Sequence, residues 1–375
     1  MIQGIHLTLM IGPGVPLPVP QVVLDSLTSV EVTTSSAGTS GFQLQFSVDI
    51  RSPLQTILLL NGGSLPPMMR TILVATINGL PTVLIDGVIT HVEGSPGIDK
   101  GVTSLTVTGE DLCAVMNYID FSGTPFPAMP AEARVAAILS KYAFLGIVPL
   151  VVPSILMDVP IPTEEIPRQQ GKDLEYIKTL ADRVGYVFYL DPGPLPGMNV
   201  AYWGPEIRVG VPQPALNMNM DSYDNVESLS FTFDADKKHL PVLMIQEPIS
   251  KALIPIPVPD ITPLSPPLGA LVPIAKHIDF ISETADLNPV QAAVIGLTKA
   301  AKSSDAVFGT GSLDVTSYGR ILKARALVGV RGAGLAFDGL YYVTDVKHKL
   351  KRGEYKQDFK LVRNGLVSTL PLVPA

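Results

Sequence analysis

Five histidines, one cysteine, one tryptophan and an adjacent pair of glutamates are the residues of this 375-residue chain whose chemistry would declare a function. His6, His91, His239, His277 and His348 are scattered, none three or four residues from another or in an HExxH-like frame, so no local metal site is built. His348 follows Tyr342, Thr344 and Val346 in a strand-like run, predicted on one face, which is the setting of a structural histidine. Cys113 stands before Val115 and Met116 with no flanking base to lower its pKa, and reads as a buried, inert thiol. Thr163-Glu164-Glu165 offers paired carboxylates, but Pro162 and Pro167 bracket them in a predicted loop. Gly329-Val-Arg-Gly-Ala-Gly334 is glycine-rich like a phosphate loop, yet no Lys-Ser/Thr follows and strand patterning does, so it predicts a hairpin turn. There is no GxSxG elbow, and Trp203, next to Tyr202 on a predicted strand, suits core packing. These residue types predict no catalytic, cofactor-binding or metal-binding constellation: the chain is expected not to be an enzyme and to need no cofactor.

The composition agrees. Charged residues make up 16% and hydrophobic ones 46%, with 35 Pro and 32 Gly; an average domain carries roughly 25% charge. A chain this apolar is not disordered. With 27 Lys+Arg against 34 Asp+Glu its net charge is −7, which repels a phosphate backbone and excludes nucleic-acid binding as a main role. One Cys excludes a disulfide framework. Met1 to Leu24 is free of charge, but no basic segment precedes it and Pro13, Pro16, Pro18 and Pro20 break any helix; Tyr142 to Met157 is too short and holds Pro149 and Pro153. No signal peptide and no membrane span are predicted. The apolar surplus then belongs to cores or to permanent contacts between subunits.

The elements that would position these residues are mostly strands. Phe42, Leu44, Phe46, Val48 and Ile50 alternate with Gln43, Gln45, Ser47 and Asp49, a half-buried antiparallel strand. Further strands are predicted at 5–10, 29–33, 71–77, 82–91 and 104–108, joined by turns at Asn61-Gly-Gly63, Asn78-Gly79 and 94–97, which fits a first β-barrel over 1–111. Residues 112–205 change period. Pro130 opens a helix with Val135, Ile138, Leu139 and Tyr142 on one face; Asp173 is the predicted N-cap of another, with Leu174, Ile177, Ala181 and Val184 inward and Gly185 ending it. Strands follow at 186–190 and 199–203, making an α+β insert. From 206 to 375 β-structure resumes, with Leu229, Phe231 and Phe233 alternating against Ser230, Thr232 and Asp234. Within 240–275 a Pro-rich stretch, Ile254-Pro-Ile-Pro-Val-Pro259, favours an extended polyproline form lying along a surface or a partner. Asn288, Pro289 and Gln291 signal a helix with Val290, Ala293, Val294 and Leu297 inward, and strands are predicted at 311–317, 322–330, 340–350 and 355–363.

The last of these runs resembles the closing strands of the phage late control D family, the hubs of contractile-tail baseplates. The matches are Tyr342, Val343, Val346 and His348, then Arg352, Gly353, Tyr355, Gln357, Phe359, Leu361, Arg363 and Asn364. Residues 133–139 and 171–186 look like the inserted helical part of the same hubs. The resemblance implies a mainly β chain with two tube-protein-like antiparallel barrels flanking an α+β insert. It also implies a homotrimer forming a pseudo-sixfold ring between a hexameric inner tube, or its initiator, and a trimeric spike, beside other baseplate proteins in a virion or injection particle. Relatives of the VgrG type carry the spike in the same chain. Here Ala375 follows the last matched residue closely, so the spike is expected to be a separate polypeptide. The rival readings are a tail-tip glycan- or receptor-binding module, which low aromatic content disfavours, and a cell-wall hydrolase, which would need a carboxylate pair in a cleft.

Overall fold

The computed structural model describes residues 4–36, 38–49, 68–96, 102–154, 159–163, 166–246, 253–257, 265–281, 304–370 and 373. Alternating or fully apolar runs dictate strands throughout. The N-terminal group comprises β1 (Ile5–Pro13), β2 (Leu17–Pro18), the short helix α1 (Gln21–Ser26), β3 (Leu27–Ser35), β4 (Gly41–Asp49), β5 (Met69–Ile77), β6 (Leu80–Pro96) and β7 (Val102–Asp111). Its strands are antiparallel in the order β3-β4-β7-β6-β5-β1-β2. Phe42, Leu44, Phe46 and Val48 are buried, as their alternation predicts.

An α+β segment follows: α2 (Ala131–Ser140), β8 (Ile147–Val151), α3 (Asp173–Val184), β9 (Tyr186–Pro192) and β10 (Asn199–Pro205), with a sheet of order β8-β10-β9. It has its own core, centred on Val135, Ile138, Leu139, Ile177 and Trp203. Lys172, not Asp173, takes the N-cap position of α3; Asp173 is its first helical residue, drawn inside by other partners described below. Gly185 ends the helix at φ 76°, the left-handed conformation that favours glycine. Tyr142, expected on α2, lies two residues beyond its end.

The C-terminal group contains β11 (Gln213–Asn217), β12 (Ser228–Phe233), β13 (His239–Gln246), β14 (Leu253–Pro257), β15 (Gly269–Leu271), β16 (His277–Ile281), β17 (Val307–Asp314), α4 (Val315–Tyr318), β18 (Leu327–Arg331), β19 (Gly339–Lys351), β20 (Glu354–Arg363) and β21 (Leu366–Ser368). Order β12-β17-β20-β19 continues directly into β3, so both groups share one 13-stranded sheet, with β18 and β11 branching from β19. The seam is an antiparallel ladder from Asp345↔Ser35 to Lys351↔Ser29. One core spans it, including Val30, Val32 and Leu44 from the first group and Val346, Phe359 and Leu361 from the second.

Several expectations change here. The strand predicted at 311–317 ends at Asp314, whose carboxylate caps α4 by accepting from the Thr316 and Ser317 amides. The strand predicted at 322–330 begins only at Leu327. Ile254–Pro257 is not a free polyproline stretch but part of β14, paired antiparallel with β13; its prolines sit on an outer strand, where missing N–H groups cost no ladder bond. The helix expected at 288–297, the Asn61 turn and Glu164-Glu165 lie outside the described residues. No helix among the described residues is long and apolar enough to cross a membrane.

Candidate functional site

Alternation gives the shared sheet two unlike faces. One packs on the core. The other is polar, and strand register carries its rows across the seam between the two groups. One row runs Ser228, Ser312, Asp358, Lys347, Thr33; a second runs Lys356, Lys349, Glu31, Gln43, Thr108, His91. Several charges on this face are matched internally. Lys347 Nζ lies 2.7 Å from Glu31 Oε2, Lys356 Nζ 2.8 Å from Glu227 Oε1, and Lys349 pairs with Asp358. Ser and Thr hydroxyls bond across strands, as Ser228 with Ser312 at 2.8 Å. The result is a long surface of neutral hydroxyls, amides and paired ions, with neither the basic excess that grips phosphate nor an apolar patch.

The residues that carry the family resemblance lie beneath this face and beside it. Tyr342, Val343, Val346, Tyr355, Phe359 and Leu361 are buried. A bulge between Val343 and Asp345 shifts the strand, so His348 shares its inner face with Val346 and Val343 rather than with Thr344 and Tyr342 as alternation alone predicts. His348 Nδ1 lies 2.8 Å from the Tyr355 hydroxyl and 3.3 Å from Gln357 Nε2, and burial pushes the imidazole down to about 4, so it is neutral. Gln357 accepts from the Leu322 amide at 2.9 Å and donates to its carbonyl at 2.8 Å. Arg363 donates to the carbonyls of Asp338 and Ala336 with its guanidinium over Tyr341. Asn364 Oδ1 accepts the amides of Leu268 and Gly269. Arg352 donates to the Asp25 carbonyl, and Gly353 turns the hairpin at φ 83°. Gln357, Arg363, Asn364 and Arg352 thus each tie their strand to the backbone of another stretch of chain.

Two polar joints hold the α+β segment. Arg70 and Asp86 form a buried bidentate pair at 2.7–2.8 Å; Arg70 also donates to the carbonyls of Leu145 and Gly197, and Asn199 Nδ2 donates to Asp86. Arg325 reaches Asp191 at 3.0 Å and the Ser35 carbonyl at 2.6 Å while lying over Tyr189. Beside the second joint is a cleft of about 250 Å³ lined by Tyr189, Tyr202, Glu206 and Tyr342. Its charged groups are consumed: Arg325 as above, and Glu206 by Arg208, which also holds Asp305.

Among the candidate chemical residues, Cys113 and Trp203 lie in the interior. Cys113 is buried, and its burial, with Asp111 beside it, pushes the thiol up, away from the reactive thiolate. Trp203 is fully buried, edge-on to Tyr186. The Gly329–Gly334 run is the end of β18, with Gly329 and Val330 paired to β19, and the start of the hairpin connection that leads into β19. Asp173 is buried among Tyr142, Gln169 and Lys141, at 2.6–2.7 Å from each. One juxtaposition is absent from the sequence reading: the parallel register of β13 and β16 sets His239 opposite His277, ring centres 5.1 Å apart, with Asp279 2.9 Å from His239. No pattern of spacing could have revealed it, because two further strands intervene. No group among the described residues has the donor set of a metal site.

No protein-family model and no curated protein matches the sequence. The fold does match solved structures. A tail protein from Neisseria meningitidis superposes at TM-score 0.63 and 13% identity, over 97% of this chain and 98% of that one. The 43 kDa tail protein of prophage MuSo2 from Shewanella oneidensis gives 0.63 and 15%, over 96% and 98%. An Escherichia coli component of the type VI secretion system, itself described as similar to phage T4 tail proteins, gives 0.52 and 12%, over 93% and 76%. The chain therefore has, across nearly its whole length, the fold of phage tail proteins and of type VI secretion components.

Proposed function

We propose that this chain is a structural baseplate hub of a contractile phage tail or related injection system, a homotrimer in which 1–111 and 206–375 supply two tube-like units and 112–205 an insert. The observation that carries this reading is the seam: two strand groups in one chain meet edge to edge in a single sheet with one continuous polar face. Three copies would present six such units. That is the symmetry needed to join a hexameric tube or its initiator to a trimeric spike, with other baseplate proteins around it. On this reading the polar face lines the axial passage, where matched ions and hydroxyls let cargo slide without adhering. The signature residues Tyr342 to Asn364 serve it as scaffold, not as catalysts, and the particle is assembled in the bacterial cytoplasm.

Light scattering tests the assembly: three copies of 40.0 kDa give 120 kDa, alone or on adding tube and spike proteins, whereas a stable monomer under both conditions sinks the reading. Gold-labelled chain imaged in the particle should lie on the axis between tube and spike; peripheral label would instead favour a receptor-binding role.

A further inference from the structure

The C-terminal group repeats the strand plan of the N-terminal one, and a β-bulge aligns the two. Register shifts between Ile89 and His91 where β6 meets β7, and between Val343 and Asp345 where β19 meets β20. Setting these shifts on one another matches β5 with β18, β6 with β19, β7 with β20 and β4 with β17, and places Leu327 where the first group has Arg70. The match exposes a gap. On the edge away from β6, β5 is covered along its whole length by β1, from Ile5↔Ile77 to Pro13↔Met69. On the corresponding edge, β18 is covered by β11, and only from Gln213↔Val328 onward. Among the described residues no strand stands beside Ala326 and Leu327, where Pro13 and Gly12 stand beside Met69 and Arg70.

The gap coincides with the tyrosine cleft. Arg325, Ala326 and Leu327 form one wall; Ile207, Val209, Gly210 and Val211, on the way from β10 to β11, form another. Both walls present unused backbone. Among the described residues the amides and carbonyls of Ile207 to Val211 make no hydrogen bond, and neither do the Arg325 carbonyl and the Ala326 amide. Ile207 and Val209 are 43% and 42% exposed with Arg208 buried between them, the period of a strand that lacks a neighbour. Tyr342 is only 3% exposed, yet its hydroxyl has no bonding partner among the described residues and is not sealed from solvent, so it opens into the cleft it lines.

We infer that this gap receives an extended segment of a second, different polypeptide, which lies as a strand between the two open backbone walls and sets a tyrosine or tryptophan side chain against Tyr342. The first group shows the kind of occupant, since at the equivalent place it holds a strand, β1. Free donors and acceptors on both walls call for main-chain pairing. The charges at the cleft are already paired, Arg325 with Asp191 and Glu206 with Arg208, so the entering side chain is uncharged. A cleft of about 250 Å³ holds an aromatic ring whose polar tip meets the free hydroxyl. The inference does not rest on the hub reading.

The probes are three acetylated, amidated pentapeptides: Val-Thr-Tyr-Thr-Val, the same with Ala at its centre, and the same with Glu there. Each is titrated into the full chain carrying 3-fluorotyrosine and followed by fluorine NMR. The tyrosine peptide should bind with Kd below about 1 mM, and the other two at least about tenfold more weakly. N-methylating alternate amides of the tyrosine peptide, one set and then the other, should weaken it by a similar factor. Val209→Trp, at a half-exposed place on the wall, should fill the mouth and abolish binding, while Leu335→Lys, exposed on the β18–β19 connection, should leave it unchanged. Equal binding of the three peptides, indifference to methylation, or no binding up to about 5 mM overturns the inference. So does a change of assembly mass in light scattering on Val209→Trp, which identifies the occupant as another copy. A monomeric chain that binds the tyrosine peptide overturns the hub reading and leaves this one standing.

Discussion

Where the N-terminal group carries Arg70 opposite Val88, the C-terminal group carries Leu327 opposite Tyr342, and where the first has Asp86 the second has Leu340. The same outward-facing patch of one strand plan is thus built once as a buried ion pair and once as an apolar cluster with Leu268 and Val362. The polar version touches three separate points of the α+β segment, Leu145, Gly197 and Asn199, so sliding that segment in any direction breaks a bond. The apolar version is non-directional and closes over the chain's own later strands. Duplication preserved the inner face and the bulge; what each half must hold decided its outer face.

This contrast can be broken most severely at Asp86. Asp86→Leu leaves Arg70 buried without its partner and should cost about 3–5 kcal/mol in denaturant unfolding. The double change Arg70→Leu with Asp86→Leu, which copies the second half, should recover most of that. If the double variant is no better than the single, the two patches are not interchangeable. Next comes His348, which replaces the position of Gly94 in the first half. Its folded pKa of about 4 lies below the unfolded 6.5, so the unfolded chain takes the proton first. Stability is then full above about pH 6.5 and falls as pH drops to about 4, by roughly 3 kcal/mol. Unfolding followed across that range should lose this dependence in His348→Phe. Gln357→Leu, imitating Leu105 of the first half, removes two bonds to Leu322 and should cost about 2 kcal/mol, read as a lower denaturation midpoint. Glu31→Gln, on the polar face, should change stability by under about 1 kcal/mol, measured at low and high salt.

Much of the fold was legible because burial imposes a period: Phe42–Val48 and the run from Leu340 to Leu361 announce strands by alternation, and Gly185 announces a helix end. The duplication was not legible. Equivalent positions share a place in the ladder but not identity, as Leu44 with Gly311 or Leu105 with Gln357, so no repeat shows in the letters. The bulge at Thr344 could not be read either, since it inserts a residue without any Gly or Pro to mark it, and it moved His348 to a different set of neighbours. Prolines misdirected the reading of β14, because an outer strand tolerates them as readily as a polyproline helix does. The polar face, by contrast, was present in the sequence as Gln43, Gln45 and Ser47, although its continuity across the seam depends on a pairing between distant strands.

That pairing also sets a clock. Arg352, at the tip of the hairpin that completes the seam, grips a backbone carbonyl at Asp25, 327 positions earlier. A ribosome working at roughly 5–20 residues per second needs roughly 16–65 s to cover that interval. For all of it the nascent N-terminal half carries β3 with an open edge. A nonsense mutation anywhere before β19 leaves that edge open permanently, so truncated products should aggregate while full-length chain made in the same cell stays soluble.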